Sequence, residues 1–115
     1  MKILVIVNDS PWGSSLAVTA LRLLRSLLAD GIEADAVYFR GEGVYNALSG
    51  RATDHGTPDL CPSWQAISSR HDVPLLLCQS AYRRRFDCEP GEGFRTAGLA
   101  EIIERMARCD RVLAF

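Results

Sequence analysis

One cysteine stands where a nucleophile would be expected in an α/β protein. Cys78 ends an apolar run that starts at Val73 and directly precedes a predicted helix, in which Arg83, Arg84 and Arg85 follow within two turns. A helix N-terminus and nearby guanidinium groups both stabilise a thiolate over a thiol. The position therefore indicates a cysteine that is nucleophilic near neutral pH. The alternative is a strand cysteine that packs as a small hydrophobic side chain, and position alone leaves both open.

The arginine triplet at 83–85 also has two explanations. One is a solvated helix face. Against it, three adjacent like charges repel one another and gain little unless an anionic group lies nearby. A persulfide, a carboxylate or the acidic surface of a partner protein is such a group, so all three arginines are candidate site residues.

The remaining cysteines suggest other roles. Cys88 follows Cys78 by ten residues in a loop rich in Gly, Glu and Pro, and it is a possible resolving thiol. Cys61, at the start of a predicted helix, and Cys109, predicted to lie buried beneath the last helix, are expected to be structural. The four cysteines form no C-x-x-C pair and the two histidines add no ligand-like doublet, so no metal site is expected.

The loop from Asn8 to Ser15 joins the first predicted strand to the first predicted helix, where flavodoxin-type proteins bind phosphate. It lacks the dense Gly, Ser and Thr pattern of such loops. Pro11 removes a backbone donor and Trp12 adds bulk. A flavodoxin-like nucleotide or flavin binder is therefore only an alternative, and no cofactor is expected.

Composition restricts the class of protein. With 115 residues, 48% of them hydrophobic and 23% charged, the chain is predicted to form one globular α/β domain over residues 1–115. A net charge of −1 provides no basic field for direct binding of nucleic acid. No stretch approaches the ~20 apolar residues that span a bilayer, and no signal peptide is recognisable. We expect a cytoplasmic protein whose thiols are free.

Alternating elements must position these residues. Continuous apolar runs predict buried strands, and apolar residues at helical spacing predict helices. Strands are predicted at 2–7, 33–39, 73–78 and 111–115, and helices at 15–30, 62–70, 79–86 and around 99–106. The alternation predicts a flavodoxin-like three-layer α/β sandwich with a mainly parallel central sheet. Ligands of such sheets bind beyond the carboxyl ends of the strands, which selects the loops after Val7 and Phe39 and the turn at Cys78.

Two features predict an oligomer. The stretch from Arg40 to Pro58 is too long for a plain connection and is expected to be functional or to face another subunit. The first helix carries an apolar stripe broader than one small sheet needs to cover. Exposed apolar area of this kind usually marks an interface.

Several segments in register resemble the DsrE/TusD family of sulfur-relay proteins. They are Phe39–Ala47 (FRGEGVYNA), Asp59–Gln65 (DLCPSWQ), Leu75–Arg84 (LLLCQSAYRR), and the ending with Gly93–Leu99 (GFRTAGL) and Cys109–Val112 (CDRV). The resemblance runs from the first strand to the last residue. It implies a DsrE-like α/β subunit, a sulfurtransferase that carries sulfur as a persulfide on Cys78 and needs no metal or organic cofactor.

The resemblance also implies site residues and partners. In that family the motifs that here hold Tyr45, Asn46, Arg83 and Arg84 lie near the carrier cysteine. Family members form homo- or hetero-hexamers with DsrE/DsrF/DsrH-like (TusB/TusC-like) subunits. They pass sulfur from an upstream donor to an acceptor of the TusE/DsrC type, towards tRNA wobble 2-thiouridine synthesis or dissimilatory sulfur oxidation. A catalytically silent scaffold subunit of such a hetero-oligomer is the main alternative, and the presence of Cys78 argues against it.

Overall fold

The computed structural model describes residues 1–12, 14–48 and 59–115. Within these ranges strands and helices alternate along the chain. In order they are β1 (Lys2–Val7), α1 (Leu16–Ala29), β2 (Glu33–Phe39), a 3₁₀ helix (Gly41–Ala47), α2 (Cys61–His71), β3 (Leu75–Cys78), α3 (Gln79–Arg85), β4 (Phe94–Ala97), α4 (Leu99–Ala107) and β5 (Arg111–Ala114).

The strands form one parallel sheet in the order β4-β3-β2-β1-β5. Apolar side chains cover both faces of β1, β2 and β3, as buried parallel strands require. On one face they pack against α1, α2 and α3, with Trp64 and Leu24 in the core, and on the other against Ile102 of α4. The predicted α/β class with a central parallel sheet is confirmed.

Four strands were predicted, and β4 was missed. Its sequence, Phe-Arg-Thr-Ala, is four residues long, lies at the edge of the sheet and has only its first and last residues buried. Such a strand has no continuous apolar run by which to recognise it. The predicted start of β3 at Val73 was also early, since the strand begins at Leu75. Part of the loop predicted at 40–58 forms a 3₁₀ helix. Residues 49–58 of that loop lie outside the described residues.

The route of the chain opens a crevice at one edge of the sheet. From β1 to β4 each strand is laid down beside the previous one, and the connecting helices pack on one face. The chain then returns to the far edge to form β5, and because parallel crossovers are right-handed, α4 lies on the opposite face. The connections after β3 and β4 therefore diverge. Ligands of parallel sheets bind at such a switch point, beyond the carboxyl ends of the strands.

An ionic network holds α4 against the sheet. The pairing of β1 with β2 shifts register between Ile3 and Leu4, which leaves Asp35 as an extra residue in β2. Its side chain is only 7% exposed and accepts hydrogen bonds from Arg105 at 3.0 Å and from Arg108 at 3.0 Å. The network therefore ties α4, which forms a wall of the crevice, to β2. No helix among the described residues is long and apolar enough to cross a membrane.

Candidate functional site

A cleft of about 680 Å³ opens at the switch point. Its polar wall comes from the ends of β2 and β3 and from α3, through Tyr38, Arg40, Cys78, Ser80 and Arg83. Its apolar wall comes from β1, the end of β4 and one side of α4. The cleft therefore brings a nucleophilic side chain, cationic groups and an apolar surface together.

Cys78 lies at the carboxyl end of β3, half-buried in this cleft. Burial by itself raises the pKa of the thiol. Hydrogen bonds from the Tyr38 hydroxyl, the Ser80 hydroxyl and the backbone N–H groups of Ala81 and Ser80 outweigh it, so the pKa lies below the ordinary value for cysteine. The Ser80 oxygen is 3.5 Å from the sulfur. Donors that converge on one sulfur favour the thiolate, which is the nucleophilic form.

Sequence reasoning attributed the activation of Cys78 to the helix terminus and the arginines, and it missed Tyr38. Tyr38 is 6% exposed and pairs with Leu76 of β3, so it points to the same face as Cys78, one diagonal step away. Burial and the bond to Cys78 raise the pKa of Tyr38 well above its usual value, which keeps the hydroxyl protonated as a donor. Only the register of β2 against β3 reveals this contact.

The structure separates the arginine triplet. Arg83 lines the cleft beside the Gln79 amide. With that amide assigned so that its oxygen faces the guanidinium, the oxygen accepts from both terminal nitrogens of Arg83 at 2.7 and 2.9 Å. Arg84 is exposed and lies outside the cleft. Arg85 turns the other way and donates to the Ala81 carbonyl at 3.0 Å.

The two candidates from the 3₁₀ helix also lie away from Cys78. The Tyr45 ring packs against the Trp12 ring, with centroids 5.3 Å apart. The Arg85 guanidinium carbon lies over the Tyr45 ring, 5.8 Å from its centroid. Asn46 is fully buried: its amide nitrogen donates to the Gly43 carbonyl at 2.9 Å, and its oxygen accepts from the Trp64 indole at 3.2 Å. With those bonds Asn46 fastens the 3₁₀ helix to the core, and neither residue lines the cleft.

The other cysteines lie apart from the cleft. Cys88 is exposed and lines a separate hollow of about 170 Å³, where its sulfur is 3.9 Å from the Tyr82 hydroxyl. Cys61 is buried, and burial raises its pKa. Cys109 was expected to be buried beneath the last helix but is only partly buried. Burial, and then the charge of Asp35, raise the pKa of Cys109 as well. The pKa of Cys78 is lowered, whereas the pKa values of Cys61 and Cys109 are raised.

The described residues hold no group of His, Cys, Asp and Glu side chains arranged to bind a metal ion. In the loop after β1, the Ser14 hydroxyl hydrogen-bonds to the Asp9 carboxylate and also accepts from the Leu16 N–H at 3.1 Å. A carboxylate there repels phosphate. Within the cleft, the side chain suited to nucleophilic chemistry is the Cys78 thiol of lowered pKa.

Comparison with known proteins gives two findings. A profile of the DsrE/DsrF-like family matches residues 1–115. Among solved structures, the ychN protein from E. coli superposes with a TM-score of 0.86 and 23% sequence identity, over 100% of this chain and 99% of that one. The structural similarity to that protein shows that the two chains share a fold.

Proposed function

Because the chain belongs to the DsrE/DsrF-like family, which is associated with sulfur transfer, we propose that it is a sulfurtransferase subunit that carries sulfur as a persulfide on Cys78. The observation that supports this most directly is a thiol of lowered pKa in an open cleft. A relay cysteine must be both nucleophilic and reachable by its partners. A silent scaffold subunit has no need of polar groups that lower the pKa of one thiol.

The loading step begins with the Cys78 thiolate, which attacks the outer sulfur of a donor persulfide, R–S–SH. A new sulfur–sulfur bond forms at Cys78 and the sulfur–sulfur bond of the donor persulfide breaks, so the donor leaves as the thiolate R–S⁻ and takes up a proton. The products are Cys78–S–SH and R–SH. Sulfur is transferred without net oxidation or reduction, so no cofactor takes part.

The unloading step reverses the role of Cys78. An acceptor thiolate attacks the outer sulfur, and Cys78 becomes the leaving group. Its departure is faster when the emerging thiolate is stabilised. The Ser80 hydroxyl lies 3.5 Å from that sulfur, and the hydroxyls of Tyr38 and Ser80 both lower its pKa, so the same two groups promote attack in one step and release in the other.

We extend the proposal to assembly and partners. The α4 face beside the cleft exposes large apolar side chains: Leu99 at 70%, Ile103 at 56% and Met106 at 40%. On α1, Leu16 and Leu23 are exposed as well. Apolar area of this kind suits a hexamer of like or related subunits, and its position next to Cys78 suits an acceptor protein of the TusE/DsrC type.

The proposal is tested by incubating the protein with a persulfidated cysteine desulfurase and recording intact and peptide masses. We expect one sulfur atom to be added at Cys78 and then lost when an acceptor thiol is supplied. Cys78→Ser should keep the fold and lose the adduct. Cys88→Ser is the matched control, because that thiol is exposed but lies outside the cleft. An adduct that forms equally on Cys78→Ser, or that never leaves Cys78, contradicts sulfur relay.

A further inference from the structure

Two guanidinium groups line the Cys78 cleft, and neither has an acidic partner among the residues that the structure describes. Arg40 follows the end of β2 and Arg83 comes from α3, and both line the opening. In the described part of the chain neither forms an ion pair, and no carboxylate lines the cleft. Arg85, by contrast, forms an ion pair in which its guanidinium nitrogen lies 3.7 Å from a carboxylate oxygen of Glu42. The positive charge beside the nucleophile is therefore uncompensated.

The position of one of these charges is fixed by a neutral group. The Gln79 side chain accepts from both terminal nitrogens of Arg83, one turn further along the same helix. An acidic residue at 79 would hold the guanidinium equally well but would cancel its charge. Glutamine orients Arg83 and leaves its charge available to a bound anion.

The shape of the cleft favours a small molecule. Its volume of about 680 Å³ falls inside the range of small-molecule sites, and it is far larger than one carried sulfur atom requires. Ile6, Ile102 and Met106 give it an apolar wall opposite the arginines. A ligand that fits has a carbon skeleton and at least one negative group.

We propose that the cleft takes a small organic persulfide bearing carboxylate groups as a direct sulfur donor to Cys78. This inference rests on the proposed function. Arg40 and Arg83 bind the carboxylates, and the carbon skeleton lies on the apolar wall. The Cys78 thiolate attacks the outer sulfur, a new sulfur–sulfur bond forms, and the donor leaves as a thiolate that solvent protonates. Sulfane sulfur moves from one thiol to another, so no oxidant or reductant takes part.

The first experiment measures the field at Cys78 without any sulfur transfer. Alkylation rates at Cys78 are compared for anionic iodoacetate and neutral iodoacetamide, and their ratio cancels the fraction of thiolate because both reagents use the same ionised sulfur. We expect Arg83→Gln to lower the ratio by about three- to tenfold, as for loss of one charge-assisted contact. Arg84→Gln is the matched control, since Arg84 lies outside the cleft, and should leave the ratio unchanged. Equal ratios in all three proteins overturn the inference.

The second experiment uses persulfides. Glutathione persulfide, which carries carboxylates, is compared with the neutral persulfide of N-acetylcysteamine, and the rate of sulfur addition at Cys78 is followed by mass spectrometry. We expect the anionic donor to load faster in the wild type and to lose that advantage in Arg40→Gln and Arg83→Gln.

The outcomes separate this inference from the proposed function. If the neutral donor loads Cys78 as fast as the anionic one, the small-donor inference is wrong, sulfur relay stands, and the arginines are left to serve an acidic protein partner. If neither small persulfide loads Cys78 but a persulfidated cysteine desulfurase does, the small-donor inference is wrong and sulfur relay stands. If the desulfurase also fails to load Cys78, the proposed function is wrong, and the donor assignment fails with it.

Discussion

Replacement of Tyr38 by phenylalanine removes one hydroxyl and leaves the buried ring in place, so it isolates the hydrogen bond from Tyr38 to Cys78. Hydrogen bonds to charged groups contribute about 1.5–3 kcal/mol where they are buried. Cys78 is half-exposed and keeps the donors of Ser80 and Ala81, so we expect a smaller loss, about 1 kcal/mol. That loss reduces the thiolate fraction about fivefold at pH values below the pKa of the thiol.

The assay is the pH dependence of Cys78 alkylation by iodoacetamide, read by peptide mass spectrometry. The pKa of Cys78 is lowered in the wild type, so its profile rises at lower pH than that of an ordinary thiol. In Tyr38→Phe the profile should move towards higher pH, while the plateau rate above both pKa values stays nearly the same. A purely structural defect would instead lower the plateau.

Tyr82→Phe is the matched control, because its hydroxyl lies beside Cys88 rather than Cys78. Its Cys78 profile should superpose on that of the wild type. If Tyr38→Phe also superposes on the wild type, or if Tyr82→Phe shifts Cys78 equally, Tyr38 does not stabilise the thiolate. Ser80→Ala should shift the profile in the same direction as Tyr38→Phe, since Ser80 donates to the same sulfur.

Three further predictions concern the scaffold. The Arg95 and Arg105 guanidinium groups outweigh burial and lower the pKa of Glu101 to about 2 from an ordinary 4.5, so the stability that Glu101 contributes is fully present above pH 4.5 and lost as the pH falls towards 2. In urea denaturation, the unfolding free energy of Glu101→Gln should fall less between those two pH values than that of the wild type. An equal fall in both proteins would contradict this. Gly43→Ala should lower the unfolding free energy by about 3 kcal/mol, because its Cβ would lie 2.1 Å from the Val7 carbonyl oxygen; a variant as stable as the wild type would show that the 3₁₀ helix can shift. Light scattering should show a mass above one 12.7 kDa chain, and Ile103→Glu on the exposed α4 face should reduce it, whereas a monomeric wild type would refute the interface.

Much of the fold was predictable because its signals are local. The β-branched run of β1 and the apolar run of β3 indicate strands buried on both faces, and helical periods between strands indicate a parallel sheet. The position of Cys78, at the end of such a run and before a helix, is equally local. Its selection as the candidate nucleophile therefore required no knowledge of which strands are neighbours.

Local signals did not reveal what surrounds Cys78. The alternation of β2 places Tyr38 on one of two faces, but only pairing with β3 shows that this face carries Cys78. The triplet 83–85 is uniform in sequence, yet Arg83 and Arg85 are directed to different surroundings. Asn46 lies in a motif that suggests the site, and the core around Trp64 uses its amide instead.

The location of the cleft depends on β4 as well. A four-residue edge strand is stabilised chiefly by its hydrogen bonds to β3, so its formation is a property of the assembled sheet rather than of its own residues. With β4 in place, the right-handed crossover to β5 carries α4 to the opposite face and opens the cleft beside Cys78. The sequence alone was enough to select Cys78 as the candidate nucleophile and to predict the elements next to it along the chain. Tertiary structure decided what β2 and α4 add, because the pairing of β2 with β3 brings Tyr38 and Arg40 beside Cys78 and the crossover to β5 places the apolar wall of α4 opposite them.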